Sequence, residues 1–141
     1  MSASVFRFPV RVYYEDTDAS GVTYHANYLR WFERGRTEWL RALGIGQEGL
    51  RDQSRAVFTV ANMQIEFRRP ARLDDALEVQ TAVAALRRAS MLFEQTLVRI
   101  ADGETLARAR VKVGCVEYGE FRPIALPDAL SAAIEAWRSR S

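Results

Sequence analysis

Cysteine occurs once in this chain, at Cys115, and histidine once, at His25. A lone thiol excludes an internal disulfide framework, and one Cys with one His leaves too few ligands for a zinc site. Lysine also occurs once, at Lys112, so the remaining 19 of the 20 basic residues are arginine. Any anion site is therefore expected to be built from guanidinium forks. No apolar run approaches the roughly 20 residues that a bilayer-spanning helix requires. No basic start followed by an apolar segment marks a secretory leader, so a cytoplasmic protein is expected. The 20 basic residues nearly balance 18 acidic ones, giving a net charge of +2. No basic stretch is interleaved with aromatics, which argues against nucleic acid as a partner. Repeats, linkers and low-complexity segments are also missing. What remains is a 141-residue chain, 48% hydrophobic, that reads as one domain over 1–141 with enough material for a core.

The chain is organised around residues 13–43. Residues 5–14 read as a strand, with Pro9 pointing to an edge or a bulge. Residues 15–24 form a polar loop holding Glu15, Asp16, Asp18 and Gly21. Residues 25–43 read as a helix, because Tyr28, Phe32, Gly35, Trp39 and Leu43 recur at helical steps, widened by Leu29, Trp31 and Leu40. Arg30, Glu33, Arg34, Arg36, Glu38 and Arg41 take the polar face, with Glu33 expected to pair with Arg36 or Arg30. Gly35 inside the apolar stripe predicts a close approach to a sheet, and Gly44 sits where a left-handed residue ends a helix.

Residues 44–55 read as a loop or a short irregular helix. Four strands follow, at 57–68, 76–86, 91–100 and 104–117. In the first, Val57, Thr59, Ala61, Met63, Ile65 and Phe67 are expected to share a face. Asp102-Gly103 is a strong hairpin signal. In the last, Ala107, Ala109, Val111, Val113 and Cys115 face one way and Arg108, Arg110 and Lys112 the other. Pro127 opens a final helix to residue 138, and Ser139–Ser141 are expected to fray. One long helix with five antiparallel strands is an α+β architecture, in which a twisted sheet can curl around the aromatic stripe.

The run from Val12 to Leu29, VYYEDTDASGVTYHANYL, resembles the signature of the 4-hydroxybenzoyl-CoA thioesterase group of hotdog-fold proteins. Phe32-Glu33-Arg34, Arg36-Thr37-Glu38, the segment Pro70-Ala71-Arg72-Leu73-Asp74-Asp75 and Arg122-Pro123 extend the match. Within the group the resemblance is strongest to the YbgC-type acyl-CoA thioesterases associated with the Tol-Pal system. It implies a hotdog fold, a five-stranded antiparallel sheet wrapped around one long central helix. It implies a homodimer or homotetramer with its site at a subunit interface. It also implies an acyl-CoA substrate, with acyl carrier protein as the other carrier, and no cofactor or metal. The family's carboxylate falls on Asp18, and its backbone donors at the start of the long helix fall on Tyr24 and His25.

Thioester hydrolysis needs a stabilised oxyanion and an activated nucleophile, while the thiolate already leaves well. A helix N-terminus can supply the first and Asp18 the second, as nucleophile or as general base. Outside the motif, an ordinary helix-entry or turn acid is the favoured reading of Asp18, and the full signature reverses it. Asp16 reads as a loop-structuring acid that caps backbone N–H groups, and Gly21 as a conformational residue beside the ligand. The His25 side chain can orient water or the substrate carbonyl, or be simply structural. Tyr14 and Tyr24 read as packing residues, Tyr24 also as a substrate contact through its backbone. Arg87, Arg88 and Ser90, with Arg68 and Arg69, are candidate contacts for coenzyme A phosphates; a solvated turn is the plainer reading. The acyl pocket is expected between strand 57–67 and the aromatic helix. Cys115 reads as a small buried residue. The rival functions are a non-catalytic acyl-CoA or acyl carrier protein binding module, and a hydratase whose motif is not seen here.

Overall fold

Alternating strands with one apolar face must bury that face, and the aromatic helix provides the surface. The computed structural model describes residues 4–140; the expectation of fraying at Ser141 lies outside them. The elements are β1 (Phe6–Arg11), α1 (His25–Ala42), α2 (Gln47–Ser54), β2 (Ala56–Phe67), β3 (Ala76–Leu86), β4 (Ser90–Arg99), β5 (Thr105–Glu117) and α3 (Asp128–Arg138). The strands form one antiparallel sheet in the order β1-β3-β4-β5-β2, so β1 and β2 are its edges. Pro9 lies on edge strand β1, where its missing N–H costs no central ladder bond. No helix among the described residues is long and apolar enough to cross a membrane.

Helix α1 packs its aromatic stripe on the sheet. Trp31, Phe32 and Trp39 are almost wholly buried. Trp39 meets Phe93 of β4 and Trp137 of α3 edge-on, with ring centroids 5.2 and 5.6 Å away. The helix ends as Gly44 predicts. Gly44 has φ +82°, its N–H donates to Arg41 O, and the Ile45 N–H reaches back to Leu40 O. This satisfies carbonyls that the last turn would otherwise leave free.

Several expectations change. The first strand ends at Arg11, because the Val12 N–H donates to Asp75 O and the chain then enters a 3-10 turn at Tyr14–Asp16. Residues 47–54 form a regular helix, α2, stopped by Arg55 in the left-handed conformation. On β2 the expected face is out of phase over its first half. A register shift between Val60 and Asn62 places Phe58 and Val60 opposite Cys115 and Val113, the inward side. One extra residue in a strand reverses which side chains face in, so Met63 and Ile65 keep the expected side while Val57, Thr59 and Ala61 do not. On α1, Leu29 is exposed, whereas Arg36, assigned to the polar face, is 91% buried.

That burial is part of a polar hub beneath the helix. Gln95 of β4 donates through Nε2 to Phe32 O at 2.8 Å and to Thr81 Oγ1 at 3.0 Å. Its Oε1 accepts Arg36 Nη1 at 3.0 Å. Glu33 instead accepts the Thr37 hydroxyl, and Arg30 donates to Asn27 Oδ1. Gly35 lets the helix come this close: a Cβ there would stand 2.6 Å from Val79 Cγ1 and 3.2 Å from Gln95 Nε2 and Thr81 Oγ1. Gly35→Ala is therefore expected to destabilise the fold by about 1–3 kcal/mol through overpacking, despite Ala's better helix propensity. Chemical denaturation of both proteins measures this, and an unchanged midpoint would show that the helix can retreat without loss.

Candidate active site

Polar loop residues need partners, and here the loop 16–24 supplies most of its own. The Asp18 N–H donates to Val22 O, the Gly21 N–H donates to Asp18 O, and Thr17 bridges Thr23. The segment is thus a small hairpin, closed by a turn in which Gly21 takes φ +83°. Nothing lies within 4 Å of a Cβ built on Gly21, so conformation rather than space calls for glycine. Asp16 caps as expected, its Oδ2 accepting the Tyr13 N–H at 2.9 Å.

Three further contacts fix this hairpin to α1 and to the segment before β3. Asp16 O accepts both the Tyr24 N–H at 3.0 Å and Asn27 Nδ2 at 2.9 Å. The Thr23 N–H donates to Ala71 O at 2.8 Å. The Ala71 N–H donates to Tyr28 Oη at 2.9 Å, and burial pushes the Tyr28 phenol up so that it stays neutral. Asn27 was not singled out in the sequence; a buried Asn in the first turn of an aromatic helix is the signal that marks it.

Asp18 is exposed on this chain, on the wall of an open depression shared with Tyr14 and Leu73. Its Oδ1 accepts the Ser20 N–H at 2.8 Å and also the Ser20 hydroxyl. Those bonds, the hydroxyl first, hold the carboxyl below its usual value, with a smaller contribution from His25. Oδ2 accepts nothing among the described residues, so one ionised oxygen is left for chemistry.

The start of α1 departs from expectation in one respect. The Tyr24 N–H is engaged by Asp16 O and is not available to a ligand. The His25 and Ala26 N–H groups have no acceptor among the described residues. First-turn N–H groups cannot bond within their own helix, and the helix dipole adds partial positive charge there. Ala26 was missed because a methyl side chain gives no sign of what its backbone does. The His25 ring stacks on Phe67, with centroids 4.7 Å apart, and lies 6.3 Å from Tyr28. Tyr14 and Tyr24, read as packing residues, are 82% and 60% exposed, because the chain has already left the sheet at both positions.

Asp18, Gly21 and the helix start are thus brought together, but Arg87, Arg88 and Ser90 are not. They form the β3–β4 connection, with the Arg87 N–H donating to Ser90 O. The Asp18 hairpin contacts the chain just before Ala76, at the other end of the 11-residue β3. At about 3.3 Å per residue the two sites are roughly 30 Å apart within one chain. Arg68 and Arg69 pair on the surface with Glu66 and Glu104. Cys115 is buried, and burial pushes its thiol up. The structure does hold a cavity of about 120 Å³ between α1 and β2, reaching β4 and β5.

Comparison with known proteins agrees with this architecture. A model of the Thioesterase-like superfamily matches residues 12–134. The chain is 48% identical over 128 residues to the acyl-CoA thioesterase YbgC of Haemophilus influenzae, covering 91% of this chain and 93% of that protein. It is 46% identical over 132 residues to the acyl-CoA thioester hydrolase YbgC of Escherichia coli O6:H1, covering 94% and 97%. A probable thioesterase from Bartonella henselae superposes with a TM-score of 0.82 at 37% identity, over 88% of this chain and 100% of that one. A sheet wrapped on one aromatic helix, a carboxylate hairpin at that helix's start and these relatives place the chain in the Thioesterase-like superfamily of hotdog-fold enzymes.

Proposed function

We propose that this protein hydrolyses acyl-CoA thioesters, with Asp18 as the working carboxylate. Two observations support the reading: Asp18 is ionised with one oxygen free, and the helix whose first turn is hydrogen-bonded to its hairpin begins with two unpaired N–H groups. The thioester carbonyl oxygen is received by the His25 and Ala26 N–H groups. Each such donor is typically worth about 3–4 kcal/mol as negative charge develops on that oxygen. Asp18 Oδ2 either attacks the carbonyl carbon, expelling the CoA thiolate and leaving an anhydride that water cleaves, or takes a proton from water as that water attacks. Both routes end in a free acid and CoA, and both need Asp18 ionised. The exposed carboxylate has no role in merely holding a neutral thioester, which disfavours the binding-module reading. The activity suits the cytoplasm, where CoA thioesters are formed.

The site also calls for a second copy. β2 is a 12-residue edge strand with one side unpaired, and Val60 and Phe67 on it are 47% and 45% exposed. Pairing β2 with its own copy about a two-fold axis normal to the sheet is antiparallel. Phe67 of one copy then faces the Ala56 end of the other. This brings the Arg87–Ser90 connection of one copy to the end of the joined sheet that carries Asp18 of the other. In that dimer Arg87, Arg88 and Ser90 serve the coenzyme's phosphates, and the loop exposed on one chain is covered.

Thiol-release kinetics test the assignment. Asp18→Asn is expected to lower kcat by about 100-fold or more, the usual contribution of a positioned acid–base group or nucleophile. His25→Ala keeps the backbone N–H and is expected to cost less than about tenfold. An active Asp18→Asn enzyme would remove Asp18 from the mechanism. Ser20→Ala provides a separate check through pH. It removes the main cause that holds the Asp18 carboxyl low, so the carboxyl rises toward its ordinary value. The reaction needs the deprotonated form, so the acid limb of kcat/KM should move to higher pH. An unmoved limb would mean that another group sets it.

A further inference from the structure

The cavity between α1 and β2 has a mostly apolar lining, with two charged residues, Arg36 and Glu33, on its α1 side. Leu40, Phe58, Met91, Phe93 and Val113 line it, and Arg36 stands at one side. Arg36 is 91% buried and makes no ion pair within 4 Å among the described residues. Its one hydrogen bond, from Nη1 to Gln95 Oε1, leaves most of its five N–H donors unused. A buried guanidinium without a counter-charge is costly unless an anion completes it. Glu33 and Thr37 stand on the same rim. The Glu33 carboxylate is exposed and accepts the Thr37 hydroxyl at 3.2 Å, so it offsets the Arg36 charge only from a distance.

The charge and the apolar surface are also separated along the sheet. Gln95, which holds Arg36, lies two residues from Phe93 and four from Met91 along β4, on the side toward Arg99 and the Asp18 end. A ligand with a carboxylate at Arg36 therefore runs its tail away from the hairpin, over Phe93 and Met91. At about 120 Å³ the space is a little smaller than the ~150 Å³ cavity that admits benzene. It holds a chain of about five or six carbons or a single ring.

We propose that this cavity is a binding site for short apolar monocarboxylates, with Arg36 gripping the carboxylate and the Phe58–Met91–Phe93 surface holding the tail. Identifying that acid with the product of thioester cleavage rests on the function proposed above. The binding site itself stands independently of any turnover.

Calorimetric titration of the intact protein with butyrate, hexanoate, octanoate and neutral 1-hexanol tests it. Affinity should rise about fourfold per methylene from butyrate, as burying a CH₂ predicts, and stop rising beyond about six carbons. Arg36→Met should weaken hexanoate at least tenfold and leave 1-hexanol within about twofold. Met is a near-isosteric replacement for which a buried charge is often dispensable to stability. Met91→Ala deepens the floor and should move the optimum to longer chains, which keeps the test open if Arg36→Met fails to fold. Hexanoate should still bind to Asp18→Asn, so loss of the thioesterase reading would leave this site untouched. Hexanoate affinity unchanged in folded Arg36→Met would overturn the proposal. So would the absence of hexanoate binding to wild type, the result expected if an acidic side chain of a second copy already occupies Arg36.

Discussion

The carbonyl of Asp16 is the contact on which the site depends. It accepts the Tyr24 N–H and the Asn27 side chain together, and so joins the carboxylate hairpin to the first turn of α1. Without it the hairpin would be an ordinary exposed turn beside a helix. With it, the position of Asp18 is tied to the helix N-terminus. The same bond uses up Tyr24 as a donor and leaves His25 and Ala26 as the first free N–H groups. Local bonding to the Asp16 carbonyl thus selects which N–H groups of the first turn stay free.

A second constraint reaches the site from below. Gly35 lets α1 lie on β3 and β4 closely enough for Gln95 to bond the Phe32 carbonyl, Thr81 and Arg36 at once. A fully satisfied buried amide specifies one register between helix and sheet, because any slip would strand polar atoms in the core. The aromatic stripe buries Trp31, Phe32 and Trp39, but apolar burial is non-directional. The Gln95 hub removes that freedom, and with it fixes how far the start of α1 projects beyond the sheet.

Much of this was legible in the sequence. The helical steps from Tyr28 to Leu43, the Asp-Gly turn and the alternation in β5 are short-range patterns with direct geometric meaning. Asp18, Gly21 and the helix start came from a contiguous motif, and the hairpin that carries the first two is bonded to the third through the Asp16 carbonyl. What escaped was what depends on partners far along the chain. The bulge near Ala61 reverses the face of half of β2, and no local signal marks it. Arg36 sits within a charged run and is buried only because Gln95, 59 residues later, receives it. The exposure of Tyr14 and Tyr24 follows from where the chain leaves the sheet, which aromatic character does not reveal. The separation of roughly 30 Å between Arg87 and Asp18, the length of β3, follows from antiparallel topology, not from composition.

Asp18 is ionised and half-free, and the hairpin that carries it is bonded to the helix start where two N–H groups are unpaired; the function proposed for this site is turnover rather than storage of a thioester. The most direct measurement is continuous thiol release from butyryl-CoA and hexanoyl-CoA by the wild-type protein, followed over many equivalents. Saturable release of many CoA molecules per chain is expected, with free acid formed in equal amount. Saturable binding of both thioesters with no more than one equivalent of thiol released would contradict it.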